Sequence, residues 1–240
     1  MISIPDISQT YPKKSLTMDT QFTGPARFVS EGSAYFDGDS GKITVSAAAG
    51  INGLFATGGT FSSWVFIGSA GEGNSGRILD AWAGYRIYVA NESGGSIFGH
   101  FNHSFSTTDG VWDLSSRDLN VGAWNHFAIT YNGSDVANNP VMYVNGLSKS
   151  VTRNTAPVGT VDADDSDKVI GNRSADDRTF DGYICNVGMW KGTVLTAAQV
   201  KEVMMASSYG QVVNVAQPTA YYLLSANGND STGNFNGTLA

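Results

Sequence analysis

The sequence contains a single cysteine, Cys185, among its 240 residues. One thiol cannot form an intrachain disulfide, so we expect burial of apolar surface alone to hold the fold together. Cys185 lies in an apolar segment, where a free thiol usually packs as a small hydrophobic group. The sequence places no base beside it, so a nucleophilic cysteine is not expected.

Charged residues are also scarce, at 15% of the chain, and the formal net charge is −7. The largest basic cluster is the pair Lys13-Lys14, and such a surface repels a phosphate backbone, so nucleic-acid binding is excluded. No apolar run approaches the ~18 residues of a transmembrane helix, so no membrane partner is expected. The N-terminal residues lack the basic stretch and apolar run of a secretory signal, so export by that route is not expected.

Alternating side chains are the strongest positive signal. In Trp124–Tyr131, large apolar residues alternate with polar or small ones, a two-residue period typical of a half-buried antiparallel strand. Met142–Gly146 follows as a second strand, which Gly146 closes at a turn that needs positive φ. The 29 glycines suit many short strands joined by tight loops. The sequence therefore predicts an all-β fold, an antiparallel two-sheet β-sandwich with one large core.

One short helix is predicted in the C-terminal region. Thr196 and Gln199 have the spacing of a capping box, and Gly210 is the expected stop. Three apolar residues at helical spacing form the stripe that should pack on a sheet edge: Val200, Val203 and Met204.

Four motifs in a fixed order resemble the laminin-G-like, concanavalin A-like lectin/glucanase jelly-roll superfamily. They are YFDG with KITV, WNHFAITY, MYVNG, and GYICNVGMW followed by LTAAQV. The resemblance covers roughly Ser33 to Ser207 and implies a sandwich that binds ligands more often than it cleaves them. Cys185-Asn186 stands where the family often has Asp-Glu, so a role for those two acids is not expected here.

The predicted organisation is an extended N-terminal arm over residues 1–30 and one jelly-roll domain over 31–240. The arm is rich in proline and has little periodicity. Residues 219–240 contain one predicted strand, Ala220–Leu224, and no later strand pattern. This segment resembles the sequence motif that usually begins such a domain. It either supplies a strand to the same sandwich, as in a circular permutant, or begins a second repeat; we favour the first.

Hydrolysis is not expected. Retaining glucanases of related fold place two carboxylates on one strand, about 5–5.5 Å apart. The chain has four glutamates, Glu31, Glu72, Glu92 and Glu202, and none lies two residues from another acid on a predicted strand. The chain is therefore predicted to be no enzyme.

Aromatic residues at strand ends are the candidates for carbohydrate binding: Trp82, Tyr85 and Trp112. Such rings can stack on the apolar face of a sugar while nearby Asn and Asp bind its hydroxyls, or they can pack at the rim of the core. The other three tryptophans lie in matched strands and are predicted to be core residues: Trp64, Trp124 and Trp190.

Four aspartates in six residues are the candidates for a metal site: Asp162, Asp164, Asp165 and Asp167. Carboxylates and loop carbonyls are the ligands that Ca²⁺ takes, and the resemblance implies a calcium ion in a loop. Asp176 and Asp177 could add ligands, and the alternative is a solvated acidic turn. His100 and His103 have the spacing of half a zinc site, but ordinary strand residues are the favoured interpretation.

The leading functional hypothesis is a non-enzymatic adhesion or decoration module of a virion, a phage above all, with glycan binding at its loops. A lectin-like fold without an export signal motivates it, because a virion protein is made in the host cytoplasm. The N-terminal arm would then dock on other virion proteins, with a homo-oligomer as a further expectation. The alternatives are a purely structural capsid or tail protein that binds no sugar, and a glycoside hydrolase.

Overall fold

The computed structural model describes residues 32–91, 97–162 and 164–240, together with the backbone of residues 27–29. Most of the predicted arm, residues 1–30, therefore lies outside the described residues. The described part has two α-helices, α1 (Ala197–Met205) and α2 (Tyr209–Val215). Its strands are β1 (Arg27–Val29), β2 (Ser33–Asp37), β3 (Ile43–Val45), β4 (Gly59–Ile67), β5 (Arg77–Ala81), β6 (Tyr85–Asn91), β7 (Ile97–His103), β8 (Gly110–Leu114), β9 (Trp124–Tyr131), β10 (Val141–Val144), β11 (Leu147–Lys149), β12 (Val151–Thr155), β13 (Lys168–Ile170), β14 (Asp181–Lys191), β15 (Ala220–Tyr222) and β16 (Gly237–Leu239).

The strands form two antiparallel sheets. Sheet A has the order β1-β2-β14-β4-β9-β10-β11, and β15 also pairs with β14. Sheet B has the order β12-β8-β7-β6-β5-β13-β3-β16. The two-sheet antiparallel sandwich predicted from the alternating pattern is confirmed.

The core lies between the two sheets, where alternate residues of each strand point inward. Phe61 and Val65 of β4 and Phe127 of β9 come from sheet A, and Ile87 of β6 and Phe101 of β7 come from sheet B. All five side chains are fully buried. The hairpin β10–β11 turns through Asn145 (φ 51°) and Gly146 (φ 74°), the Asn-Gly pair that a two-residue turn with positive φ prefers.

The helical region differs from its prediction. Helix α1 begins with the predicted capping box, in which Thr196 accepts from the Gln199 backbone and Gln199 reaches back. It ends at Met205, well before Gly210, because Ser208 caps a second helix that contains Gly210. The expectation of one helix and of a stop at Gly210 is therefore wrong. Both helices cover one end of the outer face of sheet A, where a second apolar cluster forms from Ala128, Tyr143, Trp190, Leu195, Val200, Val203, Val212 and Tyr221.

The C-terminal segment adds a strand to each sheet. β15 pairs with the second half of β14, whose first half pairs with β2. β16 pairs with β3 at the edge of sheet B, although no strand was predicted after Leu224. Its three residues are largely solvent-exposed, so they carry no alternation of buried and exposed side chains to reveal them.

Candidate functional site

Two of the three predicted sugar-binding aromatics lie in the core. Tyr85 and Trp112 are 1% and 0% exposed. They occupy inward positions of β6 and β8, and the Trp112 ring packs against Phe101 at a centroid distance of 5.8 Å. Its indole Nε1 donates to Asn139 Oδ1 at 2.9 Å. Neither ring has a face free for a sugar, so the prediction is corrected for these two residues.

Trp82 is placed differently. It lies in the turn between β5 and β6 and is 55% exposed. The guanidinium carbons of Arg86 and Arg173 lie 5.4 and 5.6 Å from its ring centroid. Among the tryptophans predicted to be core, Trp190 is buried, while Trp64 and Trp124 are half-buried on the outer face of sheet A.

Asp164, one of the four aspartates predicted to bind calcium, already has a cationic partner. Asp164 is buried, and its Oδ1 accepts from Lys168 Nζ at 2.8 Å. The same ammonium donates to Asn52 Oδ1 at 3.0 Å and to the Ser166 carbonyl at 2.6 Å. An ammonium group thus already has the oxygen partners that a cation would need.

Among the other candidate ligands, Asp162 is half-buried, and Asp167 and the two additional candidates have partners of their own. Asp167 Oδ1 accepts from the Ala47 backbone at 2.9 Å, and Asp165 is exposed. Asp176 pairs with Lys42 and Asp177 with Arg173. Among the described residues, no three His, Cys, Asp or Glu side chains are grouped closely enough to hold a metal ion.

The two histidines with zinc-like spacing lie on opposite faces of β7, because residues three apart on a strand point opposite ways. His103 is in the core, where burial lowers its pKa to about 4. His100 lies on the outer face. Burial also raises the pKa of the Cys185 thiol to about 12, so it stays protonated, as an inert thiol does.

The outer face of sheet B carries the densest group of polar and aromatic side chains near Trp82. We call it the sheet B site and define it by seven residues: Arg77, Asp80, Arg86, Tyr88, His100, Asn102 and Asp113. They lie on the face of β5–β8 opposite the core, on strands that also contribute inward-facing core residues. The four strands span roughly 14 Å at the usual strand spacing.

One row of the sheet B site crosses all four strands. Arg77 pairs in register with Tyr88, Tyr88 with His100, and His100 with Asp113. The Arg77 guanidinium carbon lies 4.2 Å from the Tyr88 ring centroid, and the Tyr88 and His100 rings stack at 4.5 Å and 11°. His100 Nδ1 contacts Asp113 Oδ1, and Asp113 Oδ2 accepts from Asn154. The row is therefore a continuous stack ending in a carboxylate.

A second row lies two residues along the strands. Asp80 is opposite Arg86, and Arg86 is opposite Asn102. Asp80 is 1% exposed and accepts from Arg77 Nε at 3.1 Å. Burial raises the pKa of Asp80, and the nearby Arg77 opposes that rise. Arg86 lies 3.8 Å from the Asp109 carboxylate.

Two buried polar atoms of the site have no hydrogen-bond partner within the described residues, Arg86 Nε and Asn102 Oδ1, whereas His100 Nδ1 and Asp113 Oδ1 contact each other. The two atoms lie on β6 and β7, on the same face. Buried polar groups normally have partners, so a pair of exceptions on one surface is a signal for a ligand. The sheet B site can thus donate and accept hydrogen bonds within a small area.

The sheet B site lies on a sheet face, whereas the candidates predicted from the sequence were assigned to strand ends and loops. The sequence does carry polar or aromatic residues at alternate positions of these strands, namely Arg86 and Tyr88 in β6, His100 and Asn102 in β7, and Asp113 in β8. This pattern is also typical of the solvated side of a half-buried strand, and a sequence does not display which residues lie side by side on neighbouring strands.

A laminin-G sequence model, described as the concanavalin A-like lectin/glucanases superfamily, matches residues 36–201. The chain belongs to this superfamily. The resemblance seen in the motifs is confirmed. No curated protein sequence matches the chain. Among the described residues, none of the helices has the length and apolar character needed to cross a membrane.

Solved structures of the same superfamily fold are similar at low sequence identity. A Bacteroides ovatus protein proposed to bind carbohydrate has a TM-score of 0.63 and 20% identity, over 86% of this chain and 57% of that one. The receptor binding domain of a botulinum neurotoxin C/D mosaic has 0.57 and 16%, over 77% and 45%. Domain 4 of an arabinanase from Geobacillus stearothermophilus, solved with arabinotriose, has 0.50 and 18%, over 76% and 82%. The chain therefore spans little more than half of the Bacteroides protein.

Proposed function

We propose that this chain is a non-enzymatic carbohydrate-binding module and that its ligand lies on the sheet B site. The observation that carries the proposal is the pair of unpartnered buried polar atoms on β6 and β7, Arg86 Nε and Asn102 Oδ1. Leaving a buried donor or acceptor unpaired costs about 1–3 kcal/mol each, so a hydroxyl-rich ligand gains by pairing them. Trp82, at one end of the face, adds an exposed ring of the kind that packs on sugars.

The carboxylates of the site support binding rather than hydrolysis. Asp80 and Asp113 lie on β5 and β8, three strand spacings apart, or roughly 14 Å. Glycosidases keep their two carboxyl groups within about 5–9.5 Å. In addition, Asp80 is held by Arg77, and Asp113 contacts both His100 and Asn154.

The structural neighbours give independent support. One is proposed to bind carbohydrate, and another was solved with arabinotriose. Their identity to this chain is 20% or less, so they show the fold, and the sugar ligand comes from the chemistry of the sheet B site.

A glycan array tests the proposal with three proteins: the wild type, Asn102→Ala in the site, and Asn214→Ala as matched control. Asn214 is an exposed residue of α2, on the side of sheet A. We expect the wild type and Asn214→Ala to retain the same glycans and Asn102→Ala to lose about ten-fold in affinity, the effect of one hydrogen bond. A folded wild type that retains no glycan, or equal binding by both variants, would contradict the proposal.

The setting on a virion stays a prediction of the sequence analysis, together with the docking arm and the homo-oligomer. Most of the arm lies outside the described residues. Mass spectrometry of purified particles tests it, and absence of the chain from particles would remove it. A folded protein that binds no glycan but is present in particles would favour the purely structural alternative.

A further inference from the structure

Arg86 and Asn102 are direct cross-strand neighbours at the centre of the sheet B site. Such pairs have Cβ atoms about 4.5–5.5 Å apart and side chains on the same face. Arg86 Nε is a donor without an acceptor, and Asn102 Oδ1 is an acceptor without a donor. The two atoms do not bond to each other. A ligand group that bridged the two atoms would accept a hydrogen bond from Arg86 and donate one to Asn102.

A hydroxyl group does both, whereas a carboxylate, sulfate or phosphate dianion has no proton to give to Asn102 and an ammonium has no lone pair for Arg86. The unpartnered donor of Arg86 and the unpartnered acceptor of Asn102 thus favour a hydroxyl group by hydrogen bonding alone, apart from any effect of charge.

The charges of the site point the same way. Arg77 pairs with Asp80 at 3.1 Å and Arg86 with Asp109 at 3.8 Å. At the rim, Arg173 pairs with Asp177. An anionic ligand at Arg86 would lie beside the buried Asp80 on the neighbouring strand, and a cationic one would meet three arginines. Like charges in a poorly hydrated site are strongly unfavourable.

We infer that the ligand class is a neutral glycan and that one of its hydroxyl groups bridges Arg86 Nε and Asn102 Oδ1. The inference rests on the proposed function and narrows it. It separates this site from one for uronic or sialic acids, which would require an arginine whose charge is not already paired.

An array that pairs neutral oligosaccharides with the same oligosaccharides carrying a uronic or sialic acid provides the first test. We expect retention of neutral members, at least ten-fold weaker retention of their acidic counterparts, and little change in affinity from low to high salt. Retention of the acidic members alone, with a steep loss in salt, would overturn the inference and leave carbohydrate binding in place. No retention of any glycan would remove both.

A double-mutant cycle tests the bridging hydroxyl. Calorimetry is carried out on the strongest neutral oligosaccharide with Arg86→Ala, Asn102→Ala and the double variant. If one hydroxyl bridges both groups, each single variant loses about ten-fold and the double variant loses little more than either. Additive losses of about a hundred-fold would contradict the bridge. Circular dichroism establishes that each variant is folded. A second cycle combines Asn102→Ala with deoxy derivatives of the same sugar, so that the bridging hydroxyl is removed from the ligand and Arg86 is left unaltered.

Discussion

Mild acid should destabilise this fold through two buried histidines, His103 and His126. Both rings are about 2% exposed or less, and burial lowers their pKa values to about 4 and about 3 from 6.5. In the unfolded chain both titrate near 6.5, so below that pH the unfolded state binds more protons than the folded one. Their contribution to stability is complete above pH 6.5 and is lost as the pH falls toward the folded pKa.

The magnitude follows from the linkage relation. At pH 5 an unfolded histidine is almost fully protonated, and the folded one is nearly neutral, so each costs about 2 kcal/mol. The pair costs about 4 kcal/mol, a large fraction of the 5–15 kcal/mol that stabilises a typical domain. The buried Asp80 and Asp164 act in the opposite direction, because burial raises their pKa values and the folded state takes up their protons first.

Urea unfolding at pH 7, 6 and 5 measures the effect, and comparison of variants isolates the histidines from the aspartates. His126→Gln should remove about half of the wild-type loss between pH 7 and pH 5. Phe127→Leu, a buried change on the same strand that cannot titrate, should lower the free energy of unfolding equally at each pH. A His126→Gln protein with the full wild-type pH dependence would refute the reasoning.

Three further predictions concern the metal candidate, the aromatics and the helix. Lys168→Met leaves the Asp164 carboxylate buried without its partner and should lower the free energy of unfolding in urea by about 3–5 kcal/mol. Neither calcium nor EDTA should shift the wild-type melting temperature, and a calcium-dependent shift would support a metal site. Trp112→Ala should cost about 3–5 kcal/mol and Trp82→Ala less than about 0.5 kcal/mol, so equal effects would contradict their placement. Thr196→Ala should cost about 1 kcal/mol by loss of the cap, and an unchanged stability would show that α1 does not need it.

The sandwich was predictable because its strongest signals are local. Two-residue alternation in Trp124–Tyr131 and the Asn-Gly turn before Leu147 depend on neighbours in sequence, and both are seen in the structure. The second helix was not predictable from Gly210, because a glycine that can end one helix also fits inside the next, which Ser208 caps. β16 was missed because an exposed edge strand of three residues has no pattern.

The candidate site depends on register, which the sequence does not display. Whether Trp112 faces the core or a ligand is decided by which residues of β7 lie beside it, and a shift by one residue would exchange the two faces. The same ambiguity hid the stack of Tyr88 on His100, whose positions are twelve residues apart. Lys168 could not be recognised as the partner of Asp164 because their distance depends on the fold of the loop between them.

The alternation along β6, β7 and β8 has a consequence for engineering. Each strand directs one side chain to the interior and the next to the sheet B site. A library of variants restricted to the outward positions would therefore change the sheet B site while leaving the packing of the core intact. Directed evolution on positions 86, 88, 100, 102 and 113 could therefore retarget the scaffold without a matching loss of folded protein.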